Sequence, residues 1–222
     1  MSSEVKKVLG VMSQGGPIDG SHFNKIFGGR YKVINTAEDV TEEVGAVLFW
    51  GGEDISPALY KREGNMYNNG PSLPSKRDQI EWAVMQHCST NNIPMIGVCR
   101  GAQLMCAFAG GELYQHVPQH LYSNHPVTCR GIDYVNVRAD HHQMMCPPAD
   151  AVVLGWSTNK MAQGYYNEQS TFVSFPVGFK EPEIVFFPEI KGLGFQPHPE
   201  WMQDSHEFVK LCLTLCKEKL CL

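Results

Sequence analysis

The chain has 222 residues, of which 43% are hydrophobic and 18% are charged, and its formal net charge is −5. The mild negative charge argues against a nucleic-acid or membrane-surface protein, since such proteins usually carry basic patches. No apolar run reaches the roughly 18–20 residues that a membrane span requires, and the start lacks a signal peptide's apolar core.

The same numbers predict the domain organisation and the state of the cysteines. A length of this order favours one domain, so we expect residues 1–222 to form a single unit. The eight cysteines are irregularly spaced in a chain too long to need covalent staples. Together with the lack of a secretion signal, this predicts a cytoplasmic protein with reduced thiols.

Short apolar runs alternate with helical patterns over the first hundred residues. Buried strands are predicted at residues 8–12, 31–34, 46–50 and 94–98, with a helix over residues 18–27. Ser75 and Asp78 have the spacing of a capping box and open a second helix. Strands that are almost entirely apolar are typical of a parallel sheet covered on both faces.

From residue 112 onward the pattern changes to shorter β-like runs separated by Pro and Gly. They fall at residues 135–137, 152–155, 172–175, 184–187 and 193–195, and a final amphipathic helix is predicted at about residues 204–219. The expected fold is therefore an α/β three-layer sandwich. Its central sheet is mostly parallel and flanked by helices, with antiparallel strands added in the C-terminal half.

The segment around Cys99 has the pattern of a nucleophile elbow. An apolar strand leads into Gly97-Val98-Cys99-Arg100-Gly101 and then into a helix, which is the thiol version of the Gly-x-Ser-x-Gly turn. Small residues two positions on either side of Cys99 make room for the tight turn. The partial positive charge at the helix start favours thiolate over thiol.

A nucleophile needs a base, and the base needs a group that orients it. His198 and Glu200 are two positions apart, so an extended segment would place both side chains on one face. Glu200 could then hold the imidazole of His198. Gly51 and Gly52 end a predicted parallel strand, where such sheets place their sites, and a glycine N–H there could assist.

These motifs occur in an order that resembles a known family. The quoted segments are residues 51–60 (GGEDISPALY), 77–78 (RD), 97–103 (GVCRGAQ), 110–115 (GGELYQ), 141–143 (HHQ) and 198–200 (HPE). With them the chain resembles a class I glutamine amidotransferase domain of flavodoxin-like fold. Within that family it looks like the γ-glutamyl hydrolase-like branch, of the γ-glutamyl-γ-aminobutyrate hydrolase type.

The resemblance implies a Cys-His-Glu triad made of Cys99, His198 and Glu200. Cys99 would attack the γ-carbonyl of glutamine or of a γ-glutamyl amine, form a γ-glutamyl thioester and release ammonia or the amine. Water would then release glutamate. His198 would serve as base and then as acid, and Glu200 would orient it.

The same resemblance implies further site residues. Backbone N–H groups of Gly52 and Arg100 would form the oxyanion hole. Gln103 matches a position that contacts the bound glutamyl group, and His142 falls in a segment that lines the α-carboxylate end of the substrate.

Three functions stay open on the sequence alone. The first is a free-standing γ-glutamyl hydrolase, and the second is a glutaminase unit that supplies ammonia to a separate synthetase. The third is a binding or regulatory module that keeps the fold without turnover. A homodimer also stays open, and we expect no nucleic-acid or membrane partner.

Several histidines could supply metal ligands, namely His116, His120, His125, His141 and His142. No Cys or Asp cluster shares their spacing. The chemistry of the elbow also needs no metal. We therefore predict neither a metal site nor a cofactor.

Overall fold

The computed structural model describes residues 6–222, which form a sheet flanked by helices. The strands are β1 (Val8–Met12), β2 (Tyr31–Ile34), β3 (Val44–Phe49), β4 (Met95–Val98), β5 (Glu112–Tyr114), β6 (Ser123–Cys129), β7 (Ile132–Ala139), β8 (Met144–Cys146), β9 (Val152–Ser157), β10 (Gly164–Tyr166), β11 (Phe172–Ser174), β12 (Pro182–Phe187) and β13 (Gly192–Phe195). The α-helices are α1 (Lys76–Thr90), α2 (Arg100–Phe108) and α3 (Glu207–Leu220). Short 3-10 helices lie at Ser21–Phe27, Ala37–Asp39, Pro57–Tyr60, Pro188–Ile190 and Pro199–Trp201.

Nine strands make the main sheet, in the order β2-β1-β3-β4-β13-β12-β9-β6-β7. The pairs from β2 to β13 are parallel, and those from β13 to β7 are antiparallel. The predicted class, a mostly parallel core with antiparallel strands added from the C-terminal half, is confirmed. Strand β4 lies between β3 and β13, so whatever follows β4 sits at the centre of the parallel half.

Two apolar layers cover the two faces of the sheet. Along β3, Leu48 packs into the layer that contains α3, while Val47 and Phe49 pack into the layer that contains α1 and α2. This is the alternation that a strand imposes, because successive side chains point to opposite faces. Burial on both faces explains why the parallel strands are almost wholly apolar.

Two helical expectations needed correction. Residues 18–27 do not form an α-helix; a 3-10 helix spans Ser21–Phe27, because Gly20 and Gly28 flank it in left-handed conformations. Helix α3 begins at Glu207, not near residue 204, since the His206 side chain caps it by accepting from the Phe208 N–H. The capping box of Ser75 and Asp78 is present as predicted. No helix in the described part of the chain is both long and apolar enough to cross a membrane.

Candidate active site

Cys99 occupies the turn between β4 and α2, with backbone angles φ 49° and ψ −109°. This conformation is strained for a non-glycine residue, and such strain collects at functional sites. The turn is possible because Gly101 lacks a side chain: a Cβ there would lie 2.2 Å from the carbonyl oxygen of Phe49. Helix α2 can therefore start directly against β3, and Cys99 is held at its first turn with 5% of its surface exposed.

His198 and Glu200 come together, although by a different route from the one predicted. Nδ1 of His198 lies 2.7 Å from Oε1 of Glu200, and both side chains are buried. The segment is not extended, since Pro199–Trp201 forms a 3-10 helix. Proline at the first helical position favours this turn, and the turn brings the carboxylate back onto the imidazole.

The protonation of His198 is set by opposing effects. Burial disfavours the charged imidazolium, but hydrogen bonds to Cys99 and Glu200, together with the negative charge of these groups, outweigh it. They raise the pKa of His198 to about 10. With Nδ1 directed at Glu200, Nε2 is the ring nitrogen left for the hydrogen bond with Cys99. Sγ of Cys99 also lies 3.9 Å from the carbonyl oxygen of Asp140. A histidine that bridges a thiol and a carboxylate is the arrangement that thiol-based acyl transfer requires.

Trp201 is a neighbour of this histidine that the sequence reading missed. Its ring stacks on that of His198, with centroids 3.7 Å apart and planes at 4°, while about half of Trp201 (53%) stays exposed. The indole therefore covers one face of the imidazole and limits its rotation. In the sequence, Trp201 is marked only by its position directly after Glu200. That position does not predict stacking on His198 unless the 3-10 turn at Pro199–Trp201 is known.

The loop after β3 lies against the same two side chains. A Cβ at Gly51 would be 3.0 Å from Cε1 of His198 and 3.6 Å from Cβ of Cys99. Nη2 of Arg77 donates to the carbonyl oxygen of Gly51 at 2.9 Å. Because the carbonyl and N–H of a trans peptide point in opposite directions, this contact turns the Gly52 N–H away from Arg77. Gly52 has φ 138°, which suits glycine alone.

Arg100 serves two structural purposes. Its N–H belongs to the first turn of α2, where helix geometry supplies no acceptor. Its guanidinium is buried and pairs with Asp78 at 2.5 Å and with Glu81, both on α1. Glu81 also accepts from Nε of Arg77 at 2.8 Å. This network ties the start of α2, and hence Cys99, to α1 and to the loop after β3.

The two predicted substrate-binding side chains are already engaged with protein partners. Gln103 is buried, and its Nε2 donates to the carbonyl oxygen of Gln143 at 2.9 Å and lies 3.3 Å from Oε1 of Gln196. Nε2 of His142 contacts the carboxylate of Asp54 at 2.9 Å. The Nδ1 atoms of His142 and His116 lie 3.1 Å apart, so one donates and the other accepts. Burial and the neighbouring His142 lower the pKa of His116.

Comparison with known proteins gives a family and several relatives. A family model described as Peptidase C26 matches residues 31–154. Protein NtpR of Enterococcus hirae is 35% identical over 177 residues, which cover 77% of this chain and 73% of that protein. The carbamoyl phosphate synthase small chain of Campylobacter jejuni is 26% identical over 184 residues, covering 82% of this chain and 45% of that protein.

Curated relatives that carry the words glutamine amidotransferase in their names match a shorter stretch, and the chain spans 27% to 37% of their length. Among solved structures, a glutamine amidotransferase from Thermotoga maritima superposes with a TM-score of 0.56 at 14% identity. The superposition covers 89% of this chain and 77% of that one. At such low identity, the structural likeness bears on the fold alone.

Proposed function

The chain belongs to the Peptidase C26 family, a class I glutamine amidotransferase-like group, and from this premise we propose that it is a cysteine hydrolase of γ-glutamyl amides. The observation that carries the proposal is the arrangement of Cys99, His198 and Glu200 on a strand-to-helix elbow. Within the family we assign the chain to the γ-glutamyl-γ-aminobutyrate hydrolase type.

The proposed reaction has two halves. The sulfur of Cys99 bonds to the γ-carbonyl carbon while His198 holds the thiol proton, and the carbonyl electron pair moves onto oxygen. When the tetrahedral intermediate collapses, the C–N bond breaks and His198 gives the proton to the leaving amine. Water then attacks the thioester with His198 as base, the C–S bond breaks, and glutamate leaves.

We assign the oxyanion hole to the N–H groups of Gly52 and Arg100. The Arg77 contact that turns the Gly52 N–H, and the helix start that leaves the Arg100 N–H without an intrahelical acceptor, support this assignment. Donors of this kind act where charge develops in the transition state. Gln103 would reach the glutamyl group only by exchanging its contacts with Gln143 and Gln196, and His142 only by releasing Asp54.

The experiment that tests the proposal is a panel of substrates offered to the purified chain alone. Glutamine, γ-glutamyl-γ-aminobutyrate, other γ-glutamyl amines and γ-glutamyl peptides would be assayed for released glutamate. We expect turnover of a γ-glutamyl amine without any partner, and none of the matching α-glutamyl amide. Absence of release from every γ-glutamyl compound would contradict a self-sufficient hydrolase.

One observation favours a second candidate, a glutaminase that works only with a synthetase. The relative from C. jejuni with matched residues over 82% of this chain is named as a small chain of carbamoyl phosphate synthase. By that analogy the chain would cleave glutamine and pass ammonia to a partner. Glutamine hydrolysis that appears only on addition of a synthetase would support this candidate over the first.

The raised pKa of His198 predicts a pH dependence for the hydrolase. His198 must carry a proton to release the amine. We therefore expect kcat/KM to stay constant as the pH rises above neutral and to fall only when the pH nears about 10. Glu200→Gln removes a negative charge that favours the imidazolium, and the pKa of His198 should fall. The alkaline limb of the pH–rate profile should then move to lower pH.

The matched control is Glu207→Gln, which neutralises an exposed carboxylate on α3 that pairs with Lys210. We expect its alkaline limb to coincide with that of the unmodified chain. A Glu200→Gln profile with the same alkaline limb as the control would mean that Glu200 does not set the pKa of His198.

A further inference from the structure

A second group of polar side chains is buried beside the triad. His120 lies in the loop between β5 and β6, His125 on β6 and Glu183 on β12, and each is at most 1% exposed. One donor atom from each lies within 4.8 Å of the others. The chain separation between His125 and Glu183 is 58 residues, so the group exists only because β12 and β6 flank β9 in the sheet.

The ring of His120 is aimed between two carboxylates without a hydrogen bond to either. Its Nδ1 lies 3.8 Å from Oε1 of Glu183, and its Nε2 lies 3.3 Å from Oε2 of Glu181. Neither contact has hydrogen-bond geometry, so both ring nitrogens lack a partner within residues 6–222. A buried polar atom without a partner is destabilising, so this ring calls for a partner that the protein itself does not supply.

His125 has a matching orientation. Its Nε2 lies 2.9 Å from Oε1 of Glu183, and its Nδ1 lies 3.4 Å from Oγ of Ser123. Each imidazole thus directs one nitrogen at Glu183 and the other at a separate oxygen, Glu181 for His120 and Ser123 for His125. In metal-bound histidines the nitrogen away from the metal donates to a carboxylate or another oxygen. Ser123 is placed to accept from His125 in this way, whereas Nε2 of His120 faces Glu181 without hydrogen-bond geometry.

The carboxylates add an uncompensated charge. Glu181 and Glu183 are buried, and the ion pairs that they make within the described part of the chain are with histidines. Glu181 is satisfied by the N–H groups of Met161 and Ala162, whereas Oε2 of Glu183 has no partner among the described residues. Buried carboxylates require a cation or proton donors to offset their desolvation.

We propose that His120, His125 and Glu183 bind a divalent transition-metal ion, with zinc as the best match, although the spacing of the histidines in the sequence predicted no metal site. Two imidazoles and one carboxylate are a common zinc donor set, with bonds of about 2.0–2.2 Å. Tetrahedral geometry at those lengths places neighbouring donors about 3.3 Å apart. The present atoms lie within 4.8 Å of one another, so the side chains must close in on the ion when it binds. Nδ1 of His120, Nε2 of His125 and the carboxylate of Glu183 are the ligands.

The site would lie next to the segment that contacts the candidate nucleophile, with water in the fourth position of the ion. The ring of His141 lies 4.7 Å from that of His120, and the preceding residue, Asp140, gives the carbonyl oxygen that faces Cys99. The ion would tie the loop before β6 to β6 and β12, behind the segment that contacts Cys99. It would take no part in the thiol chemistry.

The test uses the full chain carrying Cys99→Ala, so that a metal held by the triad cannot be mistaken for this site. The protein is stripped with chelator and titrated with Co²⁺ and then with Zn²⁺. We expect one ion per chain, a rise in Tm on binding, and a cobalt spectrum of nitrogen and oxygen ligands without a thiolate charge-transfer band. The same stoichiometry is expected with Cys99 present.

Ligand variants then locate the ion. His125→Gln and Glu183→Gln should each weaken binding by about 100-fold or more, while His87→Gln, on α1 and outside the group, should bind as the parent does. If one ligand variant fails to fold, the other variant and the cobalt spectrum of the parent still test whether the ion binds at this site. Absence of binding in the folded parent, a thiolate band, or binding by both ligand variants as tight as that of the parent would overturn the proposal.

Discussion

Replacing Cys99 with Ala is expected to lower glutamate release by about 10³-fold or more, because the variant has no atom to form the thioester. The fold should persist. Ala has a smaller side chain at the same strained φ of 49°, so the substitution adds neither bulk nor new strain to the elbow. The measurement is steady-state release of glutamate from the best substrate of the panel, with Tm recorded for both proteins.

Cys106→Ala is the matched control for this substitution. Cys106 lies on the same helix, is fully buried, and its Sγ lies 3.5 Å from the carbonyl oxygen of Glu112. It should retain turnover close to that of the unmodified chain, with a lower Tm through lost packing. Undiminished release by Cys99→Ala would remove Cys99 as the nucleophile and with it the proposed mechanism.

Arg100→Met is expected to lower the free energy of unfolding by about 3–5 kcal/mol. The substitution keeps much of the side-chain volume but leaves the buried carboxylate of Asp78 without its cation, and Glu81 with Arg77 alone. Urea denaturation followed by fluorescence and circular dichroism measures the change. Helix α2 should also lose its fixed start, so activity should fall with stability.

Arg62→Met gives the comparison at the surface. Arg62 pairs with Glu112 and Glu168, but about two-fifths of its side chain is exposed (43%), so the loss of unfolding free energy should be much smaller than for Arg100→Met. Similar small losses in both variants would show that burial of the Arg100 network adds nothing to stability.

The parts of the fold and site that could be predicted are those that depend on short sequence patterns. The two glycines around Cys99 identify an elbow because only a strand followed at once by a helix requires them at that spacing. The apolar runs of β1, β3 and β4 identify a covered parallel sheet for the same reason: a strand buried on both faces has no room for polar residues.

The rest depended on contacts between distant segments. The pairing of His198 with Glu200 was expected from an extended segment, but a 3-10 turn makes it. The stacking of Trp201 on His198 follows from that turn. No sequence pattern around Gln103 indicates that its side chain hydrogen-bonds to residues 40 and 93 positions away. Such contacts depend on the order of the strands in the sheet, which cannot be predicted from any single segment.

The position of Cys99 also bears on the order in which the protein becomes reactive. The thiol faces the carbonyl of Asp140, and the base that we propose for it is His198, whose own N–H donates to the carbonyl of Arg138. Asp140 and His198 come about 40 and 100 positions after Cys99 in the chain, so these contacts close long loops and cost chain entropy. During synthesis the elbow is made before the segments that contact it. If Cys99 is the nucleophile, its base joins it only when the chain beyond β13 has been made and has docked, so a partly made chain has the thiol without the base.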